Sequence, residues 1–173
     1  LFILEQIIKK GHVIVNAKIN IDEKGNIKKD FEINGLLKDG KLNLLSNYNF
    51  DKINFNLKKK NNIFNFKDIN FTTNKIDFFS NNLKITKNKN DLFFEGKVQN
   101  KDTFLNKELI ELIKLNLNNL NLINTKFSSK NNFSFIINNK FKLKNLILDS
   151  EILINEGEYK KPILFNEYFP EVK

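Results

Sequence analysis

The chain has 173 residues, 40% of them hydrophobic, and a formal charge of +9, so it holds enough apolar material for one folded domain and is not compositionally disordered. It has no Cys and a single His, which excludes disulfide staples, a Cys nucleophile and metal sites built on thiolates or on several imidazoles. Leu1 opens a sequence without any Met, which points to a fragment or processed segment of a longer protein.

The opening LFILEQII falls far short of the roughly 18 consecutive apolar residues a membrane-spanning helix needs, and Glu5 and Gln6 interrupt it. From His12 the period is two. Val13, Val15, Ala17, Ile19 and Ile21 alternate with polar partners, and EKGN supplies a turn. The stretch IKKDFEINGLLKDGKLNLL carries strand pattern broken at Gly35 and by a turn KDG ending at Gly40. In KINFNLKKKNNIFNF, Ile53, Phe55 and Leu57 share one face of a strand, KKKNN makes a polar turn, and Phe64 and Phe66 return on the same face.

Alternation continues in the sets Ile69 and Phe71, Ile76 and Phe78, Leu83 and Ile85, and Leu92 and Phe94, with TTN, SNN and KNKN read as the turns between them. Strand centres about 8 to 12 residues apart give the rhythm of an antiparallel meander. One segment departs from it. In KDTFLNKELIELIK, Leu105, Leu109, Leu112 and Ile113 recur at helical spacing after a possible N-cap at Asp102 or Thr103, which predicts a short amphipathic helix over 103–114. Strand pattern then resumes through Phe133, Phe135, Ile137, Phe141, Leu148 and Ile154, and ILFNEYFPEVK, with both prolines close by, reads as loop. The expected organisation is mainly β: a first antiparallel block over 1–102, the helix over 103–114, a second block over 115–160 and a loop or linker over 161–173.

The positive charge is entirely lysine, with no Arg, and 32 residues are Asn. Lys, Asn, Ile and Phe are the residues of AT-rich codons, so the charge reads first as an effect of genome composition, with lysines on solvated strand faces and at turns. A phosphate-reading site would favour the planar fork of Arg, and RNA-binding strands would mix aromatics and cations on one face. A weaker reading places the lysines near anionic phospholipid headgroups.

No catalytic signature occurs, so no enzyme activity and no cofactor is expected. His12 at a strand head reads as a surface residue. The carboxylate pair Glu108 and Glu111 reads as the solvated flank of the helix, while Asp149 with Glu151 and Glu156 with Glu158 read as solvated corners. Two echoes, FEINGLLKDGK against LFFEGKVQNKD and FKDINFTTNKIDFFS against FKLKNLILDSEILIN, leave internal repetition open in a chain of so few residue types.

Short one-faced strands in long series, the Gly corners FEING and LFFEG, a lone helix between strand blocks, and the run FSFIINNKFKLKNLILDSEILINEGEY resemble the AsmA-like, TamB-related envelope proteins of Gram-negative bacteria. The resemblance implies a long curved meander sheet forming a groove that shields or conducts phospholipid acyl chains between inner and outer membrane. It also implies a periplasmic location, with the parent protein anchored in the inner membrane by parts outside this segment. On that implication Ile53, Phe55, Leu57, Phe64, Phe66, Phe71, Phe78, Leu83, Ile85, Phe133 and Phe135 line the groove. Without the resemblance the same alternation reads as ordinary core. The alternatives are a structural, adhesin-type β segment whose sheet packs on itself, and a Lys-rich polyanion binder.

Overall fold

The alternating apolar residues form eight strands, and every one pairs with the next. The computed structural model describes residues 8–28, 30–44, 48–105, 122–140 and 142–159. The strands are β1 (Ile8–Lys18), β2 (Glu32–Leu44), β3 (Tyr48–Lys60), β4 (Ile63–Thr73), β5 (Ile76–Asn88), β6 (Asp91–Phe104), β7 (Leu122–Ile137) and β8 (Leu143–Tyr159). They make one open antiparallel sheet in the order β1-β2-β3-β4-β5-β6-β7-β8. Turn chemistry fits this meander. Asn74 and Lys75, between β4 and β5, both have positive φ (49° and 64°), the conformation a two-residue type I′ hairpin requires.

Strands of 11 to 17 residues are long for a sequence with such short alternating runs, and left-handed residues inside them explain the length. Asp39, Lys52, Asp68, Asp102, Asn124 and Asn145 all have φ between 46° and 53°. Each lies at or beside a break in ladder register, as between Asn100/Thr103 on β6 and between Ser134/Ile136 on β7 opposite β8. Such a bulge inserts an extra residue, so the apolar side chains on its two sides stay on one face although three positions separate them. Phe50 and Ile53, Phe66 and Ile69, and Leu143 and Leu146 are spaced this way. Asp and Asn tolerate the left-handed region better than other L residues, which is why polar pairs such as Lys67-Asp68 recur inside strands. Neighbours cap the bulges: the amide of Asp39 donates to Asn54 Oδ1 (3.1 Å) and that of Asp102 to Ser128 Oγ (3.1 Å).

These bulges correct two expected turns. KDG lies within β2 and SNN within β5, because a polar pair that could reverse the chain is used to bulge it. Asp149, Glu151 and Glu156 are likewise not at corners but inside β8. The helix expected over 103–114 is not supported: Thr103 and Phe104 end β6 in extended backbone, and 106–114 lie outside the described residues. Among the described residues there is no helix at all.

Nor is there a second packing layer among the described residues. Among the described residues only Leu37, Ile76 and Phe127 are buried hydrophobics, and Ile76 and Phe127 form a small cluster with Phe78 and Leu105. A sheet of this width covered on one face would bury a whole row of side chains.

Candidate functional site: the apolar face of the sheet

Cross-strand register shows which side chains share a face, since directly opposed residues in an antiparallel pair point the same way. One row crosses all eight strands: Val15, Gly35, Leu57, Phe66, Leu83, Gly96, Phe133 and Leu148. The next runs from Ala17 through Ile33, Lys59, Phe64, Ile85 and Phe94 to Phe135. Phe78 opposes Phe71 on one side and Asn100 on the other, and unbroken alternation along β6 puts Asn100 on the face of Gly96 and Phe94. Ile53 and Phe55 alternate with Leu57. All eleven residues expected to line a groove therefore stand on one face, and each is half-buried.

Aromatic contacts bind the rows together. Phe55 meets Phe66 edge-on at 5.1 Å, Phe71 stacks on Phe78 at 5.4 Å and touches Phe50 at 5.5 Å, and Phe94 stacks on Phe135 at 4.7 Å. Each such pair contributes about 0.5–1.5 kcal/mol beyond its area. Two glycines interrupt the first row. A Cβ on Gly96 would stand 3.1 Å from Leu83 Cδ1 and 3.2 Å from the Asn82 carbonyl oxygen, so Leu83 leans into the space the glycine leaves. At Gly35 the corresponding distances, 3.6 Å to Leu57 Cβ and 3.8 Å to the Ile14 oxygen, are ordinary contacts.

The face also holds polar groups that were not expected there. Asn100 is 3% exposed and its amide is fully engaged: Nδ2 donates to Thr103 Oγ1 (3.0 Å) and to the Phe127 carbonyl (3.3 Å), and Oδ1 accepts from Ser129 Oγ. Asn131 Nδ2 donates in turn to Ser129 Oγ (2.8 Å). This saturated network interrupts the apolar surface between Phe133 and Phe127, and it fixes the β6–β7 register because slippage would strand its buried donors.

Lys59 is the second surprise. It sits between Ile33 and Phe64 in the second row, only 7% exposed, with Nζ 3.2 Å from the Phe31 ring centroid and 3.5 Å from the Phe31 carbonyl oxygen. The face-on ring supplies attraction that water would otherwise give the ammonium. The lysines are thus not confined to the face opposite the aromatics. Counting alternation onward from Phe55 and Leu57 into KKK would have found it.

The other face is amide- and charge-rich. Asn34, Lys58, Asn65, Lys84, Glu95 and Ser134 form one of its rows, tied by Lys84 Nζ to Glu95 Oε1 at 2.8 Å. An open depression of about 780 Å³ over β5 to β8 is lined by Asn82, Lys84, Glu95, Lys97, Asn132 and Asp149, among others. Asp149 accepts from Asn132 Nδ2 (3.4 Å), and Glu151 pairs with Lys130 (3.4 Å). His12 is exposed on β1 opposite Lys38. Among the described residues no group of His, Cys, Asp and Glu is placed to hold a metal ion. Glu108 and Glu111 lie outside the described residues.

Compared with known proteins, the chain matches no family model, no curated protein and no solved structure.

Proposed function

We infer that this chain is a segment of an AsmA-like, TamB-related envelope protein, and that its sheet curves into a groove whose apolar face shields or conducts phospholipid acyl chains in the periplasm. The observation that carries the reading is the row structure. Eleven apolar side chains stand on one face, all of them half-buried, with no second layer over them among the described residues. Such a face gains about 25 cal/mol for each Å² of apolar surface it removes from water, whatever covers it. Acyl chains satisfy that requirement without directional contacts, which suits movement along a row of Phe and Leu. The recurrent bulges support curvature, because each one bends its strand and sharpens the local twist.

Native mass spectrometry after gentle purification tests the proposal. Phospholipid should co-purify with the wild-type chain, and Phe55→Asp with Phe66→Asp should abolish it while far-UV circular dichroism keeps the β signal. A lipid-free wild-type protein, or a double variant that loses its strands, would sink the reading. One observation favours a structural, adhesin-type segment instead. The terminal strands β1 and β8 expose apolar residues on both faces, among them Ile14 and Val15, and Ile147 and Leu148. A strand apolar on both sides is suited to an interior place in a wider sheet. On that reading the protein binds through its edges, and concentration-dependent association without lipid is the expected result.

A further inference from the structure

A meander of eight strands places alternate turns at one end, and here that end concentrates charge that looks dispersed in the sequence. The β3–β4 corner carries Lys58, Lys59 and Lys60, the β5–β6 corner Lys87 and Lys89, and the β7–β8 corner Lys140, Lys142 and Lys144. Against these eight lysines, of which Lys59 is buried against Phe31, the three corners hold one carboxylate, Asp91, while the β1–β2 connection at the same end adds Asp22, Glu23 and Asp30 beside Lys24 and Lys28. Lys60 pairs with Glu32 at 2.8 Å, while Lys87, Lys89, Lys140 and Lys142 make no ion pair among the described residues. Near the other end Lys41 pairs with Asp51 at 2.9 Å and Lys126 with Glu156 at 2.7 Å, while Lys10, Lys52 and Lys101 make no ion pair among the described residues.

Exposed aliphatic side chains accompany the lysines. In the β1–β2 connection at the same end, Ile19, Ile21 and Ile27 are 51%, 62% and 62% exposed, and Ile63 and Leu143 are exposed at the first positions of β4 and β8. Ile21 and Ile27 face each other across an isolated antiparallel bridge, and Asp22 Oδ1 accepts from the amides of Lys24 (2.9 Å) and Asn26 (2.8 Å) to hold the loop between them. The isoleucines are therefore presented on an ordered projection.

Unpaired lysines interleaved with exposed aliphatic tips form the chemistry that recognises an anionic lipid surface. The lysines gain from the negative surface potential, and short aliphatic side chains enter the boundary between headgroups and acyl chains. Nucleic acid would use the lysines but gain nothing from the isoleucines, and among the described residues no exposed aromatic stands at these corners to stack on a base. We propose that the β1–β2, β3–β4, β5–β6 and β7–β8 turns together form a docking end that seats the sheet on an anionic phospholipid bilayer. The proposal does not rest on the groove reading: the bilayer surface meets one end of the sheet, not its apolar face.

Co-sedimentation with vesicles tests it, using phosphatidylcholine alone and phosphatidylcholine with about one third phosphatidylglycerol. The wild-type chain should bind only the anionic vesicles, and binding should weaken steeply as salt rises from about 0.05 to 0.5 M. Each lysine near such a surface contributes roughly fivefold and the factors multiply, so Lys87→Gln, Lys89→Gln, Lys140→Gln and Lys142→Gln combined should lower affinity on the order of several hundredfold. Lys10→Gln, Lys67→Gln, Lys97→Gln and Lys101→Gln combined remove the same charge elsewhere and should lower it less than threefold. Ile21→Ser with Ile27→Ser should weaken binding several-fold without changing its salt dependence. Equal losses from the two lysine sets, equal binding to neutral vesicles, or capture of a single-stranded oligonucleotide without vesicle binding would overturn the proposal.

Discussion

Phe66 on β4 and Leu148 on β8 belong to one cross-strand row, and their strands read alike, yet Phe66 is half-buried while Leu148 is 60% exposed. The difference comes from neighbours. Phe66 has Leu57 and Leu83 beside it and Phe55 against its ring, whereas among the described residues Leu148 has a cross-strand partner on one side only. In a sheet without a covering layer, burial is lateral and falls off toward the edges. Ile76 marks the other extreme at 2% exposed, because it lies where Phe127, Phe78 and Leu105 converge.

Alanine substitutions along this gradient should break the resemblance between these positions. Ile76→Ala removes a fully buried side chain and should cost about 2–4 kcal/mol in urea unfolding. Phe66→Ala, half-buried but with an edge-on partner, should cost about 1.5–2.5 kcal/mol. Leu148→Ala should cost less than about 0.5 kcal/mol, as an exposed substitution does. Equal costs for Phe66 and Leu148 would mean that something covers the edge strand in solution.

The two glycines of the same row sharpen the comparison at a smaller scale. Gly96→Ala drives a methyl toward the Asn82 carbonyl and Leu83 Cα, backbone atoms at 3.2 Å and 3.3 Å that cannot step aside, and should cost about 1–2 kcal/mol. Gly35→Ala meets only ordinary contacts and removes freedom from the unfolded chain, so it should be neutral or stabilising by up to about 0.5 kcal/mol. Reversal of that order would show that Leu83 does not occupy the space beside Gly96.

Much of this arrangement was legible in the sequence. Alternation alone puts Phe55, Leu57, Phe64 and Phe66 on one face, and the echo between FEING and LFFEG marks two glycines that stand in the same cross-strand row. What escaped has one physical cause: short polar pairs are ambiguous. Lys38-Asp39 and Asn81-Asn82 look like turns because residues that tolerate left-handed backbone serve hairpins and bulges alike. Lys59 escaped because three successive lysines look like a solvated corner, although strict alternation carries the middle one onto the apolar face. The basic end escaped for a different reason. Corners far apart in the sequence meet only once strand order is fixed, and no window along the chain contains more than one of them.

That basic end has one feature that pH alone can probe. The amide of Asn26 holds the Asp22 carboxyl below the usual carboxylate range, with Asn26 Nδ2 and the Lys24 amide adding to the effect. A carboxyl whose folded pKa is lowered stabilises its loop above its unfolded pKa, and that contribution is lost as pH falls through the lower, folded value. The bridge between Ile21 and Ile27 should therefore persist at neutral pH and fray only on acidification below the normal range of an aspartate. Amide resonances of Lys24 and Asn26 should shift together in that window while those of β4 and β5 stay fixed. Asp22→Asn keeps an acceptor oxygen but removes the charge, so it should abolish the acid transition and leave the loop weakly ordered at every pH. Because the Asp22 carboxyl accepts only from Lys24 and Asn26 of its own loop, the effect is confined to the loop. An acid transition shared by the whole sheet would place its origin elsewhere, in pairs such as Lys60 with Glu32, whose carboxyl its lysine partner also holds low.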